Sequence, residues 1–207
     1  MTLRARSVAC GGVTLHATEE GAGPPVLLLH GIFAEKDHWV DVARHLVPRH
    51  RVLVPDLPGF GASDRLADER YGYAEQVPRL LAFMDAAGVQ RAHLAGNSMG
   101  GTLAALFAIQ HPDRVASLTL VGAPHGLRSP TPSETDRLID RGQQPLIARN
   151  PAEFEALMAR LFAQPPWLPR PVRLAARDDA IARAPSNQRL WREHQADRYL
   201  LQERLPD

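Results

Sequence analysis

Lysine is almost missing from this chain of 207 residues: Lys36 is the only one among 24 basic residues. The rest are arginines, scattered and alternating with Asp and Glu as on a solvated surface. With 23 acidic residues the formal net charge is +1, so no single-signed face argues for nucleic acid or an acidic partner. Against a background rich in Ala and Pro, the arginine bias reads as genome composition and not as a binding surface. Cysteine is equally scarce. Cys10 stands alone, which excludes an internal disulfide and leaves the redox compartment open. The stretch Ser7-Val8-Ala9-Cys10 has the look of a lipoprotein cleavage box, but Met1–Arg6 supplies no apolar segment before it, so it reads as part of a strand. No run approaches the ~18 apolar residues of a membrane span, and a cytoplasmic protein is the default expectation. None of the nine histidines falls into a ligand-spaced cluster with acids or cysteine, so neither metal nor other cofactor is expected. Repeats are absent too. The length suits one domain that buries roughly 70% of its unfolded surface.

What is present centres on Ala92–Ala104, AHLAGNSMGGTLA. Ala92 to Gly96 is short and mostly apolar, like a buried strand. Gly96-Asn97-Ser98-Met99-Gly100 is a G-x-S-x-G sequence, and Gly101 to Ala108 continues as a helical run. Strand, sharp turn and helix together give the motif a mechanism, because the turn holds a serine in a strained conformation with its hydroxyl outward. Glycine is required at Gly96 and Gly100, where side chains would collide as strand and helix pass. The first helical amides lie beside the serine, where they favour negative charge.

Around this centre the chain alternates. Leu3–Ala9 and Val13–Thr18 flank Cys10-Gly11-Gly12 as an N-terminal hairpin. Val26–Leu29 is wholly apolar and suits a strand covered on both faces; it runs into His30-Gly31-Ile32-Phe33. A helix is expected over Asp37–Val47, with Trp39, Val40, Ala43 and Leu46 on one face. Arg51–Val54 is the next strand, followed by the turn-rich Pro55–Ser63. Tyr73–Ala87 has helical spacing and stops at Gly88. Ser117–Val121 is a further strand. Strands and helices alternating at these lengths imply a mostly parallel sheet with helices on both faces. From Pro124 onward no strand is evident. Ser133–Arg141, Pro151–Ala163, Val172–Arg183 and Asn187–Tyr199 read as helices joined by proline-rich links, and Phe154, Leu157, Met158, Leu161 and Phe162 form an apolar stripe. The expected division is therefore an α/β core over 1–123 and a helical lid over 124–207.

His30-Gly31-Ile32-Phe33, the loop Asp56-Leu57-Pro58-Gly59-Phe60-Gly61-Ala62-Ser63 and Gly96-Asn97-Ser98-Met99-Gly100-Gly101 stand in the order and spacing of the α/β-hydrolase superfamily. Within it the chain resembles bacterial serine lipases and esterases related to monoacylglycerol lipases, and the segments around Gln143–Ile147, Asn150–Phe154 and Gln164–Trp167 resemble their lid. The resemblance implies an α/β-hydrolase fold and ester hydrolysis through an acyl-enzyme, with a small-molecule ester or acyl glycerol as substrate. Oligomeric state stays undetermined. Ser98 is then the nucleophile. The backbone amides of Met99 and Ile32, with Phe33 as second choice, form the oxyanion hole. The side chains of Phe33, Phe154 and Phe162 are candidates for the substrate pocket, although core packing explains them as well.

The same resemblance exposes a gap. Family order is serine, then acid, then histidine, and no strand–Gly-x-x-Asp segment or late Gly-His pair follows the lid before Leu205-Pro206-Asp207. His30 braces its loop in the resembled family, and Asp56 sits where a carboxylate caps backbone amides. Asp178 and Asp179 end a strand-like segment, but Arg173 and Arg177 suit a lid helix better. His125 lies at the sheet's functional edge, and His194, in a charged helical run, is expected to face solvent. The expectation is a chain lacking its C-terminal strands and nearly inactive alone, since losing a triad histidine costs on the order of 10⁶ in turnover. Two alternatives stand beside it: a hydrolase of carbon–carbon bonds in ring-fission products on the same fold, and a non-catalytic protein that binds an acyl ligand. Serine at position 98 argues against the aspartate-dependent dehalogenases and epoxide hydrolases of the superfamily.

Overall fold

The computed structural model describes residues 4–66, 71–122 and 126–205. They divide into two compact units, Met1–Leu127 with Ala196–Asp207, and Arg128–Gln195. The first unit holds a six-stranded sheet in the order β1-β2-β4-β3-β5-β6. Strands β1 (Arg4–Cys10) and β2 (Val13–Glu20) form the expected hairpin, and β2 continues antiparallel onto β4 (Arg51–Pro55). From β4 through β3 (Pro25–Leu29) and β5 (Ala92–Asn97) to β6 (Val115–Val121) the pairing is parallel. Four successive residues of β3, Val26 to Leu29, are buried, as a parallel strand covered on both faces requires.

The helices follow from the apolar spacing. Helix α2 (Tyr73–Ala86) buries Val77, Leu80, Phe83 and Met84, a stripe of helical period. Helix α3 (Met99–Gln110) is buried all round through Phe107, fitting an element enclosed on every side. Between β3 and β4 the expected single helix is instead a 3₁₀ turn, Lys36–Trp39, followed by α1 (Val40–Leu46). Trp39 anchors that junction in a cluster with Val26, Leu28, Ala43, Val47, Val52 and Val54. Helix α8 (Leu200–Arg204) packs on α3, Gln202 N–H donates to the Gly126 carbonyl, and the Asp197 carboxylate accepts from Tyr73 N–H at 2.8 Å. The last residues thus belong to the sheet-bearing unit.

The second unit is helical: α4 (Glu134–Asp140), α5 (Pro151–Leu161), α6 (Arg170–Ala182) and α7 (Ala184–Ala196). Ser133 caps α4 in a reciprocal box with Asp136, and Asn150 caps α5 by accepting from Glu153 N–H at 2.9 Å. Each cap satisfies amides that have no partner inside their helix. The helix expected over 187–199 begins earlier and ends at Ala196, separate from α8. His194, expected in solvent, is buried at 1% exposure. Leu190, Trp191 and His194 are the buried residues of its last turns, spaced to share one face.

Candidate functional site

At the C-terminal end of β5 the chain turns abruptly into α3, and Ser98 occupies the turn with φ 49 and ψ −113. A non-glycine residue there carries strain of order 1–3 kcal/mol. The surroundings fix it: Ser98 N–H donates to the Val121 carbonyl at 3.1 Å, and its carbonyl accepts from Thr102 N–H at 3.0 Å. The two glycines around it are sterically required. A Cβ on Gly96 would lie 2.2 Å from the Gly100 carbonyl oxygen, and one on Gly100 would lie 2.4 and 2.5 Å from the carbonyl oxygens of Leu29 and His30. Helix α3 therefore starts in contact with the end of β3.

That contact brings the loop after β3 against the serine. A Cβ on Gly31 would sit 3.6 Å from Ser98 Cβ and 2.7 Å from Asn97 Oδ1. Ala34 N–H closes a turn on the Gly31 carbonyl at 3.2 Å, and Phe33 within it has φ 60. Among the described residues, the backbone N–H groups of Ile32 and Met99 donate no hydrogen bond, and Ser98 Oγ makes none. Main-chain N–H groups without a partner, near a serine hydroxyl, are the type of donor that stabilises an anionic oxygen.

The loop is held from behind by a second buried network. His30 Nε2 accepts from Leu57 N–H at 2.9 Å, so its Nδ1 carries the proton and donates to the Gly31 carbonyl at 2.8 Å. Phe60 lies edge-on to the ring at 5.3 Å. Burial drives the imidazole down to about 4 from its ordinary 6.5, keeping it neutral. His30 therefore braces two loops. Asp56, fully buried, accepts from Lys36 N–H at 2.7 Å, Lys36 Nζ at 3.1 Å and Ala62 N–H at 3.0 Å. Burial alone would lower the Lys36 ammonium, but its hydrogen bond to Asp56 and the negative charges of Asp56, Asp37 and Glu35 together outweigh that and raise it. The anticipated capping role of Asp56 thus gains a partner that sequence reasoning passed over, the chain's single lysine. Asn97 was passed over too. Its Nδ2 donates to the Val121 carbonyl at 3.2 Å while Oδ1 abuts Gly31, so it is wedged between β6 and the loop. The variable position of the G-x-S-x-G pattern was the available signal.

The remaining candidates lie elsewhere. Phe154 is buried within the second unit, and Phe162, at the end of α5, is 40% exposed. Asp178 and Asp179 are on helix α6, paired with Arg177 and Arg183 at 2.8 Å each, so that segment is no strand. His125 lies outside the described residues. Among the described residues no imidazole is hydrogen-bonded to Ser98 Oγ.

The chain is similar to several known proteins. Monoacylglycerol lipase abhd6-B of Xenopus laevis is 34% identical over 147 residues, 67% of this chain and 43% of its own. The 2-hydroxymuconate semialdehyde hydrolase of Pseudomonas sp. (strain CF600) is 36% identical over 57% of this chain and 43% of its own. The crystal structure of a bacterial membrane phospholipase A superposes with a TM-score of 0.90 at 37% identity, covering 94% of this chain and 63% of that one. The chain thus spans less than half the length of these curated relatives. A family model for the alpha/beta hydrolase fold matches residues 24–198; with the parallel sheet, the strained serine turn and the abutting loop, the chain belongs to the alpha/beta hydrolase family.

Proposed function

We propose that this chain carries the nucleophile and oxyanion hole of a serine carboxylic ester hydrolase acting on acyl glycerols or similar small esters. In this reading Ser98 Oγ attacks the ester carbonyl carbon, its proton passes to a base, the alcohol departs, and water releases the acyl group. The amides of Ile32 and Met99 stabilise the tetrahedral oxyanion. Phe33, in the loop after β3, is assigned to the acyl pocket, and the helical unit Arg128–Gln195 to the lid. The observation that carries the reading is the positive φ of Ser98 beside two unspent amides. With no imidazole on Ser98 Oγ among the described residues, turnover by this chain alone is expected to be very low.

A second reading, carbon–carbon bond hydrolysis, is favoured by the 36% identity to the semialdehyde hydrolase, but that likeness spans 57% of the chain whereas the phospholipase likeness spans 94%. The test is incubation with a fluorophosphonate, followed by intact mass. The expected result is a slow single adduct at Ser98 that disappears in Ser98→Ala; no adduct at any time would refute the ester reading. Stoichiometric labelling within minutes would show that a base is already present. A panel of p-nitrophenyl esters set against a ring-fission diketone separates the two substrate classes.

A further inference from the structure

The loop that carries the Ile32 amide is a short strap, and both of its ends are tied to one place. At the front, His30 Nε2 accepts from Leu57 N–H at 2.9 Å. At the back, Lys36 donates to Asp56 twice, through its backbone N–H at 2.7 Å and through Nζ at 3.1 Å. Residues 30 and 36 therefore share two neighbouring anchors, 56 and 57, in the loop after β4. That loop is in turn fastened to β2. Asp56 N–H donates to the His16 carbonyl at 2.7 Å, and Ser63 Oγ accepts from His16 N–H at 2.8 Å while donating to the Asp56 carbonyl at 2.7 Å. Asp64 N–H donates to the Thr14 carbonyl at 3.1 Å, and Thr14 N–H donates to the Asp64 carboxylate at 2.7 Å. The anchor is thus fixed to the sheet. Between its two ties the strap is bent against its own preference: Phe33 has φ 60, a left-handed conformation that a bulky residue keeps only when its surroundings impose it.

The two ties differ in kind. The front one joins a neutral ring, which accepts at Nε2 and donates at Nδ1, to a backbone amide. The back one joins charges. Asp56 is fully buried, and its loop wraps it so closely that a Cβ on Gly61 would lie 2.2 Å from the carboxylate carbon. A buried carboxylate deprived of its cation is costly, and parting the loops to admit water relieves it. The Lys36 ammonium meets that carboxylate at 3.1 Å; its other acidic neighbour, Asp37, stands 4.0 Å away and is largely exposed. From this we infer that Lys36 is a positioning residue, whose ammonium, held on Asp56, keeps the strap closed and the Ile32 N–H in place for the oxyanion formed at Ser98. The inference rests on the ester-hydrolase reading and adds to it a side chain that acts through the loop and not on the reacting atoms. Deleting an oxyanion donor outright slows a serine hydrolase by about 10²–10³. A donor that is loosened and not deleted costs less, so a loss of about tenfold is expected when the charge is removed.

The test follows fluorophosphonate labelling of Ser98 in the full chain by intact mass, over a range of reagent concentrations and in buffer where every variant is folded by circular dichroism. Lys36→Met is expected to lower the limiting labelling rate about tenfold while the half-saturating concentration stays within about twofold, the split that a displaced oxyanion donor produces. Lys36→Arg keeps a cation on the strap and is expected to fall between the native chain and Lys36→Met. Val77→Ala, in the buried stripe of α2 and outside both loops, lowers stability and is expected to label at the native rate. Hydrogen exchange over residues 31–35 is expected to quicken about tenfold in Lys36→Met and to stay as it is in Val77→Ala. Equal labelling of the native chain and Lys36→Met overturns the inference. Equal slowing in Val77→Ala also overturns it, since lost stability would then be the whole cause, and so does unaltered exchange over 31–35. Exchange is read without catalysis. A native chain that takes no label therefore counts against the ester reading, while faster exchange in Lys36→Met leaves the tie to Asp56 in place.

Discussion

Lowering the pH from 7 to 4 tests the brace at His30 directly. The ring is buried, accepts from Leu57 N–H and donates to the Gly31 carbonyl, and burial holds it near 4 against 6.5 in an unfolded chain. The folded state therefore binds a proton less readily than the unfolded one. The stability linked to this ring is fully present above pH 6.5, falls as the unfolded chain takes up its proton, and is gone near pH 4. The fall from 6.5 to about 4 corresponds to about 3 kcal/mol, with a slope approaching about 1.4 kcal/mol per pH unit inside the window. Protonation would also remove the acceptor for Leu57 N–H, so the two loops flanking the serine turn would part together. The assay is urea unfolding followed by circular dichroism at half-unit steps, for the native sequence and for His30→Gln. The amide of glutamine can still accept from Leu57 but does not titrate, so the other eight histidines cancel in the difference between the two curves. The native chain is expected to lose about 3 kcal/mol more than the variant between pH 6.5 and 4. Curves running parallel through that window would refute the burial argument.

Three further outcomes follow from packing. Gly100→Ala forces a methyl group to within 2.4 Å of the Leu29 carbonyl oxygen and is expected to cost about 3 kcal/mol, a fall in Tm of roughly 6–12 °C by calorimetry; a change under about 2 °C would contradict the close approach. Lys36→Met leaves the buried Asp56 carboxylate without its ammonium and is expected to cost about 2 kcal/mol in urea unfolding. Lys36→Arg is expected to recover less than half of that, since a forked cation replaces a point charge. Cys10, buried and with its thiol raised by burial, is expected to react with iodoacetamide at least tenfold more slowly in the folded chain than in urea, as followed by mass.

The parts of this structure written in local pattern were readable from the residues. Four consecutive apolar residues made β3, the apolar stripe made α2, and the G-x-S-x-G sequence between a strand and a helical run made the serine turn. The role of His30 was legible through resemblance. What escaped has a common physical cause, since long-range polar contacts leave no periodicity. Lys36 and Asp56 are 20 residues apart, and nothing local marks one as the partner of the other. His194 was misread because the charges around it were weighed and the face it shares with Leu190 and Trp191 was not. The 3₁₀ opening before α1 is decided by Trp39 finding its cluster, a tertiary demand that overrides helical spacing.

The solitary lysine has a practical corollary. Any reagent or enzyme that recognises an ε-amine meets a single address in this protein, and that amine is engaged with the carboxylate joining the two loops beside the serine turn. Acetylation or amine-directed tethering at Lys36 would neutralise or remove the charge facing Asp56 and loosen those loops. A surface nearly free of lysine thus makes one acylation event legible in the whole molecule, reporting whether the knot behind Ser98 is tied.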